Sequence, residues 1–475
     1  MTRKPLWTSR EAEAATDGTG TAAWEANGVS MDSRHLKPGD LFVAISGPNF
    51  DGHAFVREAF AHGAAAAIVE SPPKDPLKQA PLLIVANSFH ALEALARTAR
   101  ERARAQIIAV TGSVGKTGTK EALRLALSES GNVLATQGNF NNEYGVPLSL
   151  ARLPREADYG VFELGMNHPG EIRPLAKLVR PKIGIITNVE AVHMAHFDSV
   201  AEIADTKAEI FEGMDADGIV ILNRDNPYFS RLAAAAKAQG ITRILGFGEH
   251  PEAQLRLINC TCHALSSNVV AEIGGHEIHY RLGAPGRHWV TNSLAVLGAV
   301  DAVGADVKKA AAKLAGLTAP AGRGRRVHGV IPSGKIEIID ESYNANPASM
   351  RATFDTLAAT PAGPVGRRIA ILGDMLELGK FAPRMHAELA GDLLRHEIDL
   401  VFTVGELMKN LDREMPPHMR GGHANSAEAL IPTLLEELHG SDVVAVKGSR
   451  AMNMNHIVAA LRQADSGMAN AANGH

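Results

Sequence analysis

A chain of 475 residues is too long for one ordinary hydrophobic core and suggests about three domains. Its 45% hydrophobic and 21% charged residues are those of a soluble globular protein, and a formal net charge of −4 offers no basic surface for nucleic acid or anionic membrane. Two cysteines, Cys260 and Cys262, cannot make a disulfide framework; with no second pair nearby they read as ordinary strand residues rather than a metal or redox pair.

Along the chain, Met1 to Glu13 is mixed and charged, unlike a signal peptide, and no apolar run nears the ~20 residues of a membrane span, so a cytoplasmic location is expected. Residues 1–104 read as a small α/β unit. It has strands at Leu41–Ile45, Ala65–Val69 and Leu82–Val85 and helices at Ala54–Ala61 and Phe89–Arg104. Ser71-Pro72-Pro73-Lys74-Asp75-Pro76 is a surface connection within it. A second unit, residues 105–319, alternates apolar runs (Tyr159–Leu164, Ile183–Val189, Gly218–Leu222) with helical stretches, the mark of a parallel sheet with crossover helices. Short alternating runs from Gln254 to Leu282 predict an antiparallel extension, and helices at Val290–Val303 and Val307–Ala315 close the unit. The Gly-, Pro- and Ala-rich stretch Gly316–Gly324 is a break. The third unit, residues 320–464, has strands at Lys335–Ile339, Arg368–Leu372, Leu400–Val404 and Val443–Val446, with helices near Pro347–Ala358, His386–Arg395 and Ala427–Leu438. Residues 465–475 lack apolar weight and read as a disordered tail. The fold class expected is α/β in three domains: a small N-terminal unit, a central phosphate-loop type, mostly parallel sheet with helices on both faces, and a Rossmann-like C-terminal unit.

The most informative stretch is Thr111-Gly112-Ser113-Val114-Gly115-Lys116-Thr117. It follows the β-branched run Ile107-Ile108-Ala109-Val110 and opens a helical pattern, so strand, glycine turn and helix N-terminus make a phosphate cradle. Backbone N–H groups point at the anion, Lys116 reaches the terminal phosphates, and the Thr117 hydroxyl sits on their magnesium. The first glycine stands three residues before Gly115 rather than five, a shortened form with the same parts.

Polar residues at strand ends mark where a parallel sheet binds ligands. Glu163 ends one strand, and Asn188 and His193 follow another. Asp340, Gly373-Asp374 and Lys447-Gly448-Ser449-Arg450 end strands of the third unit. Glu163 suits magnesium, which prefers hard oxygen ligands; His193 is as open to a structural hydrogen bond as to a metal. Asn139 to Pro147 is either a turn cluster or a set of donors and acceptors for a peptide-like substrate. Arg323, Arg325 and Arg326 are either a solvated basic stretch or cations that enter the site on domain closure. Lys207, at the start of an amphipathic helix, reads as a surface lysine.

Taken together these residues resemble the Mur ligases, and within that family the member that adds D-alanyl-D-alanine. Asp32-Ser33-Arg34, Pro38–Ala44 and Phe50-Asp51-Gly52-His53 resemble the family's uridine-nucleotide domain. Thr111–Lys120 resembles its ATP loop, Asn139–Leu150 its asparagine-rich substrate segment, and Gly286–Ala295 its adenine-side helix. Tyr343-Asn344-Ala345-Asn346-Pro347 and Leu372-Gly373-Asp374-Met375-Leu376-Glu377-Leu378-Gly379 resemble the segments most specific to the dipeptide-adding member. The resemblance implies an α/β fold with Gly112, Ser113, Val114, Gly115, Lys116, Thr117, Gly118, Asn292, Arg323 and Asp340 at ATP. It puts Thr117, Glu163 and His193 at magnesium, two ions being expected where two anions meet. It implies Ser33, Arg34, Asp51, Gly52, His53, Asn141 and Asn142 at the UDP-linked substrate. It also makes Lys207 a carbamylated lysine, and Lys116, Lys207 and His193 the catalytic set. Gly118, where Thr or Ser is usual, and Trp289, where Asn is usual, depart from the pattern.

The implied reaction is ATP-dependent amide formation between the terminal carboxylate of a UDP-linked muramoyl tripeptide and D-alanyl-D-alanine, through an acyl phosphate, by a monomer. A diamino-acid-adding sibling and a folylpolyglutamate synthetase-like ligase are the nearest alternatives. The sibling's Asp-Asn-Pro-Arg signature is absent from this chain, and a folate ligase is not expected to carry the Ser33-Arg34 and Asp51-Gly52-His53 segments. A nucleotide-regulated binding protein is the alternative of a different class.

Overall fold

The computed structural model describes residues 4–47, 50–72, 80–363 and 365–471, with the backbone alone beyond Gln463. The connection predicted at Ser71–Pro76 falls, from Pro73 onward, outside the described residues.

The chain forms three α/β units, each on its own sheet. The first sheet has strands β1 (Thr19–Gly20), β2 (Gly28–Ser30), β3 (Asp40–Val43), β4 (Ala66–Val69) and β5 (Leu82–Ile84) in the order β1-β5-β4-β3-β2. The last four run parallel. Helix α1 (Ser88–Arg102) starts at Asn87, whose side chain accepts the His90 N–H, and buries Leu92, Leu95, Ala96 and Ala99.

The central sheet contains β6 (Gln106–Thr111), β7 (Val133–Ala135), β8 (Tyr159–Glu163), β9 (Ile183–Ile186), β10 (Ile219–Asn223), β11 (Arg243–Gly248), β12 (Leu255–Cys262), β13 (Ser267–Ile273) and β14 (His276–Leu282). Their order is β7-β8-β6-β9-β10-β11-β12-β13-β14, parallel up to β12 and antiparallel from β12 to β14, which is the predicted extension. In β6, Ile108 and Val110 enter one apolar layer and Ile107 and Ala109 the layer on the opposite face. That two-sided burial is why the strand reads as a continuous apolar run. Helices α2 (Lys116–Leu127), α3 (Gly145–Ala151), α4 (Val200–Ala208) and α5 (Arg287–Ala302) belong to this unit. Leu123, Ala126 and Leu127 of α2 pack with Val290, Leu294 and Leu297 of α5.

The third sheet is β15 (Arg325–Ile331), β16 (Gly334–Glu341), β17 (Arg368–Gly373), β18 (Leu400–Val404), β19 (Arg420–Ala424) and β20 (Val443–Lys447) in the order β15-β16-β20-β17-β18-β19. Helix α6 (Pro347–Ala358) follows β16 and carries a capping box between Asn346 and Ser349. The helix predicted over 386–395 is two shorter ones, Ala382–Ala387 and Leu389–Arg395. The last helix runs Asn455–Ala471, so residues 465–471, expected to be disordered, are helical. Residues 472–475 lie outside the described residues.

Candidate active site at the cleft between the second and third units

Strand β6 ends in the phosphate loop, and two glycines there are obligatory. Gly112 has φ 147°, and a Cβ on it would lie 2.0 Å from Thr187 Oγ1. Gly115 has φ 86°, caps α2, and a Cβ there would meet Asn292 Nδ2 at 2.6 Å. Ser113 props the loop, donating its N–H to Asn188 O at 2.8 Å while its hydroxyl accepts the Glu190 N–H at 2.9 Å. The N–H groups of Val114 and Gly115 have no partner among the described residues and are left for an anion. Lys116 Nζ donates to Gly112 O at 2.6 Å.

Register places the acid. Val110 pairs with Glu163 across β6 and β8, so Glu163 stands beside the loop, 2% exposed. Its Oε2 accepts the Thr117 hydroxyl at 2.9 Å and its Oε1 the Asn141 amide at 2.8 Å. Two oxygen ligands at right angles on an octahedral Mg²⁺ lie about 2.9 Å apart, so the Thr117–Glu163 oxygen pair fits two neighbouring positions on that ion. His193 joins neither residue by a hydrogen bond. Its Nδ1 pairs with the carboxylate of Glu377 in the third unit, so the three predicted metal residues do not form one bonded cluster.

Lys207 corrects the sequence reading, for it is buried rather than on the surface, 1% exposed. Its amine has no hydrogen bond or ion pair among the described residues. Burial, and then the like charge of Lys116, hold that amine well below the ordinary lysine value. Lys116 is also pushed down by burial, with Glu163 opposing and Arg323 reinforcing the shift, although part of its side chain still touches solvent. His193 is lowered by burial, against the pull of Glu377, and it too feels Lys116 and Lys207. Lys116, Lys207 and Arg323 therefore share one electrostatic neighbourhood with Glu163 and Glu377.

The hinge residues separate by role. The Arg323 guanidinium lies 4.1 Å from the ring centre of Tyr343, at the cleft. Arg325 is exposed, and Arg326 is bound to Glu337 and, at 2.7 Å, to the Thr360 hydroxyl, so these two are not cleft cations. Asp340 accepts the Gly322 N–H at 2.9 Å and the Ser342 hydroxyl at 2.6 Å, holding the hinge next to Arg323. Lys447 is engaged by Asn344 O at 2.9 Å. A cavity of about 420 Å³ lined by Thr117, Lys120, Arg124, Asn139, Arg323 and Tyr343 opens between α2, the asparagine loop and the hinge.

The two departures from the resemblance prove to be one feature. A Cβ on Gly118 would lie 2.6 Å from the Trp289 ring, so the indole fills the space that a Thr or Ser side chain at 118 needs. Asn142 accepts the Gly145 N–H at 3.0 Å in the turn that leads into α3, which favours the turn reading for that residue, whereas Asn141 reaches the acid.

In the first unit the predicted residues lie beyond the carboxyl ends of the adjacent strands β2 and β3. Ser33 donates to Glu58 at 2.9 Å, and Arg34 grips Asp32 through Nε and Nη2, both at 2.9 Å, holding that carboxyl well below its usual range. Asp51 accepts from His53 Nδ1 at 2.7 Å, while His53 Nε2 accepts the Glu70 N–H at 2.8 Å. The Gly52 N–H donates to Ile45 O at 2.8 Å.

The fold and the site define a phosphate-loop enzyme built from three α/β units. Family models match in three places: Mur ligase family, catalytic domain at residues 25–103; Mur ligase middle domain at 110–300; and Mur ligase, glutamate ligase domain at 322–450. The chain belongs to the Mur ligase family. A UDP-N-acetylmuramoyl-tripeptide--D-alanyl-D-alanine ligase of Rickettsia prowazekii is 34% identical, covering 95% of this chain and 99% of that protein. The crystal structure of MurF from Acinetobacter baumannii superposes with a TM-score of 0.83 at 30% identity, covering 96% of this chain and 99% of that one. MurF of Thermotoga maritima in complex with ADP superposes with a TM-score of 0.76 at 26% identity, covering 93% and 98%.

Proposed function

We propose that this chain is an ATP-dependent ligase that joins D-alanyl-D-alanine to UDP-N-acetylmuramoyl-tripeptide in peptidoglycan precursor synthesis, releasing ADP and phosphate. The observation that carries this reading is the glycine loop with Lys116, set beside the buried Thr117–Glu163 oxygen pair in the cleft between two units. The full-length likeness to D-alanyl-D-alanine ligases supplies the substrates.

In this reading the loop N–H groups and Lys116 hold the terminal phosphates of ATP, with Asn292, Arg323 and Asp340 on the nucleotide side. The first unit takes the uridine nucleotide through Ser33, Arg34, Asp51, Gly52 and His53, Asn141 meets the tripeptide, and the third unit presents the dipeptide. The tripeptide carboxylate attacks the γ-phosphorus, giving an acyl phosphate. The dipeptide amine then attacks that carbonyl and phosphate leaves with the bridging oxygen. A carboxylate repels nucleophiles and leaves badly; phosphorylation removes both obstacles. Magnesium held by Thr117, Glu163 and His193 would neutralise charge where the two anions meet.

Lys207 has the chemistry of a carbamylation site. A buried amine whose ammonium form is disfavoured is more available as a nucleophile toward carbon dioxide; an N–C bond forms, the proton leaves to solvent, and a carboxylate stands beside Lys116 where an amine stood. The new anion would complete a second magnesium position. Closure of the third unit excludes water from the acyl phosphate. In this reading the enzyme acts in the cytoplasm as a monomer; no helix among the described residues is long and apolar enough to cross a membrane.

The test is ADP and phosphate release by the purified chain. Release that requires both the tripeptide nucleotide and the dipeptide supports the proposal; release with neither, or dependence on a diamino acid instead of the dipeptide, contradicts it.

A further inference from the structure

Glu377 lies 184 residues beyond His193, yet its carboxylate meets His193 Nδ1 across the boundary between the second and third units. The contact is built rather than incidental. The Ala195 N–H donates to the Glu377 carbonyl at 2.9 Å. Gly379 has φ 57°, and a Cβ there would stand 3.1 Å from Ala195 Cα, so the two segments touch backbone to backbone. His193 (φ 55°) and Glu377 (φ 64°) both take the left-handed conformation that non-glycine residues avoid, which marks a strained junction held by its surroundings.

The third unit aims the carboxylate. The Met375 N–H donates to the fully buried His386 Nε2 at 2.9 Å, and the Leu376 N–H to Ser449 Oγ at 2.8 Å. Asp374, itself buried, accepts the N–H groups of Leu407 and Met408 at 3.1 and 2.8 Å. Every residue leading up to Glu377 is thus tied to the third sheet or the helices behind it.

We infer that Glu377 is a positioning residue for His193: by accepting a hydrogen bond from Nδ1–H it holds the proton on that nitrogen and leaves Nε2 as the lone-pair nitrogen for the cation, and it does so only while the third unit is docked. The inference rests on the reading of His193 as a metal ligand. Metal-binding histidines ordinarily give their second nitrogen to a carboxylate or carbonyl that fixes the tautomer and ring orientation. Here that carboxylate is supplied by another domain, so closure and metal affinity become one event.

The test uses Mn²⁺ as probe on the full chain with ADP present, reading Mn²⁺ affinity and the ¹⁴N coupling of an imidazole in the electron spin echo spectrum. Wild type should show the coupling and His193→Ala should lose it. Glu377→Ala should bind Mn²⁺ about 10- to 100-fold more weakly with the coupling lost or broadened. Glu377→Gln, whose amide oxygen can accept the same proton, should regain most of both. A packing role alone would lower the melting temperature without moving the coupling. Wild-type affinity and coupling in Glu377→Ala would overturn the inference, as would identical spectra for wild type and His193→Ala. If the alanine variant fails to fold, Glu377→Asp, whose carboxylate is too short to reach Nδ1, replaces it with the same two outcomes. Substrate-dependent ADP release by wild type, measured alongside, separates failure of this inference from failure of the ligase reading.

Discussion

The carboxyl edges of the first and central sheets both carry polar residues that read as ligand contacts, but they are built differently. At the central edge, hydrogen-bonding capacity is left open: two loop N–H groups are free among the described residues, Lys207 has no partner, and Lys116 makes one bond to its own loop. At the first edge the groups are engaged with one another, with Ser33 on Glu58, Arg34 on Asp32, and both nitrogens of His53 in use. An anion entering the central cleft meets unsatisfied charge, whereas a nucleotide at the first edge must exchange existing bonds. Binding strength is therefore expected to concentrate in a few central residues and to be spread thinly over the first unit.

The largest effect should come from Lys116→Ala, with kcat/KM for ADP release reduced about 10³-fold or more; a reduction under tenfold would remove the central edge from the chemistry. Lys207→Ala should lower turnover about 10²-fold and abolish any stimulation by bicarbonate, measured in the same assay. The pH dependence of stability has a definite sign at Lys207. With its folded value held below the ordinary ~10.4, the folded state binds fewer protons than the unfolded state between those two values. Stability from this group thus rises as pH rises through that window, and Lys207→Met should flatten the rise in urea unfolding.

Effects should be smaller at the first edge. His53→Ala strands the Glu70 N–H, so unfolding should become easier by about 1 kcal/mol, and KM for the uridine nucleotide should rise with kcat unchanged. Arg34, with its side chain 74% exposed, should be the mildest: Arg34→Ala should raise that KM about tenfold or less and leave stability unchanged. A kcat loss at either position comparable to that of Lys116→Ala would erase the contrast between the two edges.

The phosphate loop was legible because its parts are contiguous: a buried strand, glycines and a helix start fall within a dozen residues. Most apolar strands of the three units were legible for the same reason, β11 with Ile244, Leu245 and Phe247 being passed over, and Leu400–Val404 and Pro347–Ala358 end where the pattern ends. Strands β1, β2 and β19 carry little apolar run of their own and exist because a neighbour pairs with them, Arg420-Gly421-Gly422-His423-Ala424 having none, and β7 (Val133-Leu134-Ala135) is apolar but only three residues long. Strand β15 was hidden in the arginine-rich hinge, where its hairpin with β16 sets the register. Lys207 was misread because the pattern of one helix cannot show what covers its polar face. The tie from Glu377 to His193 joins distant segments, and its only signal was the family-like stretch containing Glu377. The Gly118–Trp289 fit was visible as two oddities and became one fact only when α2 met α5.

The central claim is that the γ-phosphorus of ATP is transferred to an oxygen of the tripeptide carboxylate. The direct measurement supplies tripeptide nucleotide labelled with oxygen-18 in that carboxylate and reads the isotope by mass spectrometry in the products. The account predicts one labelled oxygen in the released inorganic phosphate, matched to each amide formed. Unlabelled phosphate, or label carried off in AMP, would contradict it.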